Sequence, residues 1–170
     1  MSSWTTREKK LAPFFDEQNR ARHNKHRPKF CATCPIGHCT LGYVPPEVGT
    51  GEELVVSEMP NEDERYEKRP FVGGIGTIFN NLLKIAGYAR KPLSIIHTLG
   101  CQPPLNRHPL DNEWSFTGRQ EARDAVWYCQ QQHLWPFVNS KKWKRILALG
   151  NRSLTALTTR SGITIWAAHP

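Results

Sequence analysis

Glu53-Leu54-Val55-Val56-Ser57-Glu58-Met59-Pro60-Asn61 opens as an apolar run and ends on an acid. The run reads as a short buried strand. Glu58 then stands where strand gives way to loop, the place where open α/β sheets carry reactive groups. A charged loop over residues 61–69 follows and closes on Arg69-Pro70-Phe71-Val72-Gly73. Gly73, Gly74 and Gly76 lead into a helix. An acid at a strand end, an aromatic ring and a glycine-rich helix start make a pocket for something flat and polar near phosphate. The same residues also fit an ordinary strand-to-helix loop with a capping acid.

The chain has 170 residues, enough for one domain with a core. Its net charge of +8 and pI near 9.5 favour a polyanionic partner such as DNA. No stretch approaches the apolar length of a membrane span. Residues 1–7 lack the apolar core of a signal peptide, so a cytoplasmic setting is expected. There, five cysteines point to metal ligation or core packing rather than disulfides.

Residues 7–29 carry Arg7, Lys9, Lys10, Arg20, Arg22, Lys25, Arg27 and Lys29. We read 1–30 as a basic arm, either on DNA phosphates or as a solvated helix face, and 31–170 as the folded domain. Leu11, Phe14 and Phe15 could anchor the arm. Cys31-Ala32-Thr33-Cys34 lets two thiolates reach one metal from a tight turn. It also fits half a zinc site with His38 or Cys39, a redox pair, or buried small residues. Residues 40–52, with Pro45, Pro46, Gly49 and Gly51, read as a linker. Ile75, Ile78, Phe79, Leu82 and Leu83 repeat at helical spacing, with Gly87 as a C-cap. A second strand is expected over 94–99, a helix over 119–133, a third strand over 145–149, and a helix from Ser153.

Together these stretches resemble the uracil-DNA glycosylase superfamily, specifically its iron–sulfur branch, called family four. Glu58 and Pro60 match that branch's Gly-Glu-Ala-Pro-Gly motif, and residues 69–73 match its Arg-Pro-Phe-Val-Gly. Cys101-Gln102-Pro103-Pro104-Leu105-Asn106-Arg107 looks like its Cys-Arg-Pro-Pro-Gly-Asn-Arg, and Ile146-Leu147-Ala148-Leu149-Gly150 like its strand before the last helix. The resemblance implies a three-layer α/β/α fold with a short, mostly parallel sheet. It implies hydrolysis of the N-glycosidic bond of uracil, or another damaged base, in DNA. Phe71 would stack on the extruded base, Glu58 would act on water, and Asn106 and Arg107 would lie against the DNA backbone. Cys31, Cys34, Cys101 and Cys129 would hold a [4Fe–4S] cluster, with zinc as the alternative metal and Cys39 spare.

Two features depart from the family. His97 stands where the family has an asparagine whose amide pairs with the uracil edge. An amide offers a donor and an acceptor side by side, whereas an imidazole can donate one bond or carry a charge. His169-Pro170 resembles the start of the family's His-Pro-Ser motif. It follows Leu149-Gly150 too closely, by roughly a strand and its turn, so the last strand and its catalytic loop are expected to be lacking. His97 and His169 remain candidates for stabilising the leaving base. The alternatives are a catalytically impaired module for DNA binding or for docking a replication or repair protein, and a zinc-stabilised binder unrelated to glycosylases.

Overall fold

The computed structural model describes residues 27–158 and the backbone of 166–168. The basic arm up to residue 26, and His169, lie outside the described residues. Strands β1 (Glu53–Ser57), β2 (Ser94–His97), β3 (Arg145–Leu149) and β4 (Trp166–Ala168) form a parallel sheet in the order β2-β1-β3-β4. The helices are α1 (Glu62–Glu67), α2 (Gly73–Ile85), α3 (Arg119–Cys129), α4 (Trp135–Val138) and α5 (Asn151–Thr158).

Alternation along each strand sends side chains to opposite faces. Leu54, Val56, Ile96, Ile146 and Ala148 pack on one face with Leu134, Trp135, Val138, Ala156 and Leu157. Val55 and Ile95 pack on the other with Phe71, Phe79 and Leu93. A sheet covered on both faces explains why its strands read as unbroken apolar runs. The α/β/α layering expected from the sequence is therefore present.

The edge strand expected to be lacking is present. Gly150, with φ +91°, turns the chain from β3 directly into α5, and its carbonyl already accepts from Leu154 N–H. No loop is needed there, and residues 150–168 hold a turn, a two-turn helix and a three-residue strand. Residues 40–52 are likewise no free linker. Val44 N–H donates to the Gly100 carbonyl at 2.7 Å, and Glu47 and Ile95 exchange two backbone bonds of 2.9 Å. The segment runs antiparallel along β2 and covers that edge.

Gly87 ends α2 as expected: its φ is +73°, and Tyr88 N–H closes on the Leu83 carbonyl. The helix expected over 119–133 is regular only to Cys129. Gln130–Leu134 forms a π turn, in which Trp135 N–H reaches the Gln130 carbonyl. Pro136 follows and cannot donate a helical bond. The buried stripe moves by one residue, from Ala122, Ala125 and Val126 to Leu134, Trp135 and Val138.

Candidate active site and thiol cavity

Strand register brings the chemistry to one edge. Ser57 is level with His97 and Leu149 with Ala168, so the strands end together at the C-terminal side of the sheet. Glu58 is the next residue after β1, and its carbonyl accepts from Thr98 Oγ1 at 2.6 Å and Leu99 N–H at 3.1 Å. Its side chain is 34% exposed, and Oε1 accepts from Arg152 Nη1 at 2.7 Å. The other arm of the same guanidinium contacts Asp111 Oδ1. The Glu58 carboxylate is thus oriented by one oxygen.

Glu64 organises the loop between Glu58 and Phe71. Asn61 Oδ1 accepts from Glu64 N–H at 3.0 Å, and Glu64 Oε2 accepts from Asn61 N–H at 2.7 Å, a reciprocal capping box at the start of α1. Glu64 Oε1 also accepts from Phe71 N–H at 2.6 Å and lies 3.4 Å from His97 Nε2. Burial pushes this carboxyl up. The facing His97 ring, with the N–H groups of Asn61 and Phe71, outweighs it and holds the group below its ordinary value.

Phe71 has φ +47°, a left-handed conformation uncommon for a bulky residue. It is held from both sides. Glu64 takes its N–H, while Arg90 donates to its carbonyl at 2.7 Å and to the Pro70 carbonyl at 2.5 Å. Arg90 in turn pairs with Glu47 at 2.6 Å. A side chain at Gly76 would run into the Phe71 carbonyl, so glycine is required there. The Phe71 ring stacks on Phe79 with centroids 4.2 Å apart, and His97 lies 6.1 Å away, tilted by 48°.

His97 is buried, with Nδ1 2.5 Å from Ser57 Oγ. Nε2 faces Glu64 at a separation too long for a well-formed hydrogen bond. Both ring nitrogens therefore face protein groups. Pro60 is fully buried beneath the loop. Asn106 accepts from Gln102 Nε2 at 2.6 Å, and Arg107 pairs with Glu113, so both are engaged within the loop after Cys101. The structure thus sets Phe71 against His97, leaves Glu58 at the adjoining end of β1 on Arg152, and adds Ser57, Glu64, Arg90, Asp111 and Arg152. Of these additions only Glu64 left a sequence signal, the Asn61-x-x-Glu64 capping pattern.

Cys31, Cys34, Cys101 and Cys129 line one cavity, walled by Phe30, Leu99, Pro103, Ala125 and Tyr128. All four thiols are free. The neighbouring Cys31 thiol, with the Arg27 guanidinium, brings Cys101 down against its burial. Cys129 accepts from Gly100 N–H at 3.4 Å. Cys39 lies outside this cavity. It packs with Ile36 and Trp114, donates to the Ile36 carbonyl, and is pushed up to about 12 by burial. Four sulfurs around one apolar space, with an N–H donor and a cation beside them, fit the donor set of an iron–sulfur cluster. Among the described residues no group of three or more His, Cys, Asp or Glu side chains is already closed around a metal position.

His133, on the π turn, ties the two regions together. Nε2 faces the His97 carbonyl at 3.1 Å, so it carries the proton, and Nδ1 accepts from Tyr43 O–H at 3.1 Å. Burial brings His133 down to about 4, and burial with the Arg152 charge brings His108 down to about 3. The unfolded chain binds these protons near 6.5, so it holds more of them than the fold does in between. Stability should therefore be complete above pH 6.5 and fall as pH drops toward 4, by up to about 1.4 kcal/mol per unit per histidine. Urea midpoints at pH 7 and pH 5 test this. His133→Gln should flatten the dependence, and an unchanged slope in His133→Gln and His108→Gln alike would refute the assignment.

No family model matches the chain. It is 32% identical over 138 residues to the type-4 uracil-DNA glycosylase of Pyrobaculum aerophilum, an alignment covering 79% of this chain and 62% of that protein. It is 34% identical over 93 residues to the type-4 enzyme of Thermotoga maritima, covering 54% of this chain and 48% of that one. The Archaeoglobus fulgidus type-4 enzyme is 34% identical over 87 residues, covering 49% and 42%. The chain spans between about two fifths and three fifths of these curated relatives. With the strand-end acid, the Phe71 loop and the four-thiol cavity in place, this chain is similar to the type-4 branch of the uracil-DNA glycosylase superfamily.

Proposed function

We propose that this chain hydrolyses the N-glycosidic bond of uracil, or of another altered base, in DNA. The observation that supports this reading is an acid, Glu58, directly after β1, beside a neighbouring strand end where His97 faces the Phe71 ring and Glu64. A flat base would lie against the Phe71 loop, extruded from its strand. Glu58, oriented by Arg152 through Oε1, would orient a water toward C1′ of the sugar. In the reaction the C1′–N bond breaks and its electron pair leaves with the base. A C1′–O bond forms to the water, and the water's proton passes to Glu58 and then to solvent. His97 and His169 are the candidates for stabilising charge on the departing base. His97 would act with its ring held between Ser57 and Glu64.

Cys31, Cys34, Cys101 and Cys129 are proposed to hold a [4Fe–4S] cluster. The cluster would be structural, tying the turn at Lys29–Thr33 to the end of β2 and to α3. DNA is the proposed partner. The ion pair that engages Glu58 favours one second reading, a catalytically impaired module that binds DNA or a repair protein without excising bases.

Excision from uracil-containing single- and double-stranded DNA separates the two readings. We expect Glu58→Ala to lower the rate about a hundredfold or more. Wild-type product no greater than that of Glu58→Ala would reject the enzyme and leave the module.

A further inference from the structure

The structure assigns a second nucleic-acid contact to the outer face of α3, beyond the proposed excision site. Arg119, Arg123 and Trp127 follow one another at four-residue intervals, and all three are exposed. Trp127 is 64% exposed, the most open aromatic ring on the described helices. Folding does not account for this stripe. Two arginines at that spacing repel one another, and an open indole gains little from burial. Beside the stripe runs a groove of about 380 Å³ between α3 and α5, lined by Thr98, His108, Arg123, Trp127, Gln130 and Arg152.

Arg152, the residue that engages Glu58, is among the residues lining that groove. Its charge is already matched by Glu58 and Asp111, so phosphate contacts fall to Arg119 and Arg123. Neither of those two forms an ion pair among the described residues. Arg119 reaches the Asn112 carbonyl and Arg123 the Gln120 amide oxygen. An indole face for a base, two unpaired guanidinium groups for phosphates, and a groove lined by the partner of the strand-end acid are the components of a single-strand platform. The groove takes unpaired DNA flanking the nucleotide at Glu58. The assignment rests on the reading that DNA is the partner, but not on excision taking place.

The test is binding of fluorescent dT12 to full-length Glu58→Ala protein across a salt series, with thermal melts as a check on folding. Trp127→Ala should weaken binding about tenfold and Trp127→Phe should restore most of it. Replacing Arg119 and Arg123 with glutamine should reduce the salt slope by about 1.4, roughly 0.7 per lost phosphate contact. No dT12 binding, or unchanged affinity and slope in folded variants, would overturn the platform. Glu58-dependent excision with unaffected Trp127→Ala binding removes the platform alone. A platform that responds without any excision leaves it standing and removes the enzyme.

Discussion

Glu64→Leu is expected to lower the stability of this fold by about 3–5 kcal/mol, the range for removing one partner from a buried charged network. The Glu64 carboxylate is 3% exposed and faces three groups at once: Asn61 N–H, Phe71 N–H and His97 Nε2. Leucine fills much of the same space, leaves the Asn61 and Phe71 N–H groups without their acceptor and removes the charge that faces His97. Phe71 is then free to leave its left-handed conformation, so the platform proposed for the base loosens with the fold. Glu64→Gln should cost less, because one amide oxygen still serves one donor. The carboxyl is held below its ordinary value of 4.5, so its contribution is present above that pH and is lost as pH falls through the folded value. The gap between wild type and Glu64→Gln should therefore close in acid. Guanidinium titrations at pH 7 and pH 4 measure both effects, and a Glu64→Leu midpoint equal to wild type would show that the network carries no net stability.

The second large effect concerns the thiol cavity. Anaerobically purified protein is expected to be brown, with absorbance at about 400 nm and about four irons per chain. Cys101→Ala should abolish the colour, because Cys101, just beyond β2, shares the cavity with Cys31 of the N-terminal turn. Cys39→Ala should keep it, because that thiol faces Ile36 and Trp114 instead. Limited proteolysis should then cut the Cys101→Ala protein near residues 29–39 while leaving the Cys39→Ala protein intact. A colourless wild type holding one zinc would replace the cluster with the other metal. Colour retained in Cys101→Ala would remove Cys101 from the ligand set.

Much of the architecture was legible because its cause is local. Leu54-Val55-Val56 and Ser94-Ile95-Ile96 are continuous apolar runs because both sheet faces are covered. Gly87 could be read as a cap because only its left-handed φ closes α2 there. The Cys-x-x-Cys turn was visible, and the resemblance supplied its partners. What stayed hidden depends on residues far apart in sequence. Arg152 joins Glu58 from the far side of the chain and gives no sign of it in its own neighbourhood. Residues 40–52 looked like a linker because Pro45, Pro46, Gly49 and Gly51 suit one, yet their hydrogen bonds belong to β2 and the loop beyond it. The fourth strand was missed because counting residues assumed a loop that Gly150 makes unnecessary.

The π turn at Gln130–Leu134 separates two obligations that a regular helix would join. Upstream, α3 must present Cys129 to the cavity; downstream, Trp135 and Val138 must meet the sheet. One surplus residue absorbs the difference in phase, so the length of this helix is negotiable there by a single position. A related chain could drop that residue and keep both ends facing as they do now. The same deletion one turn earlier would swing the thiol away from its neighbours.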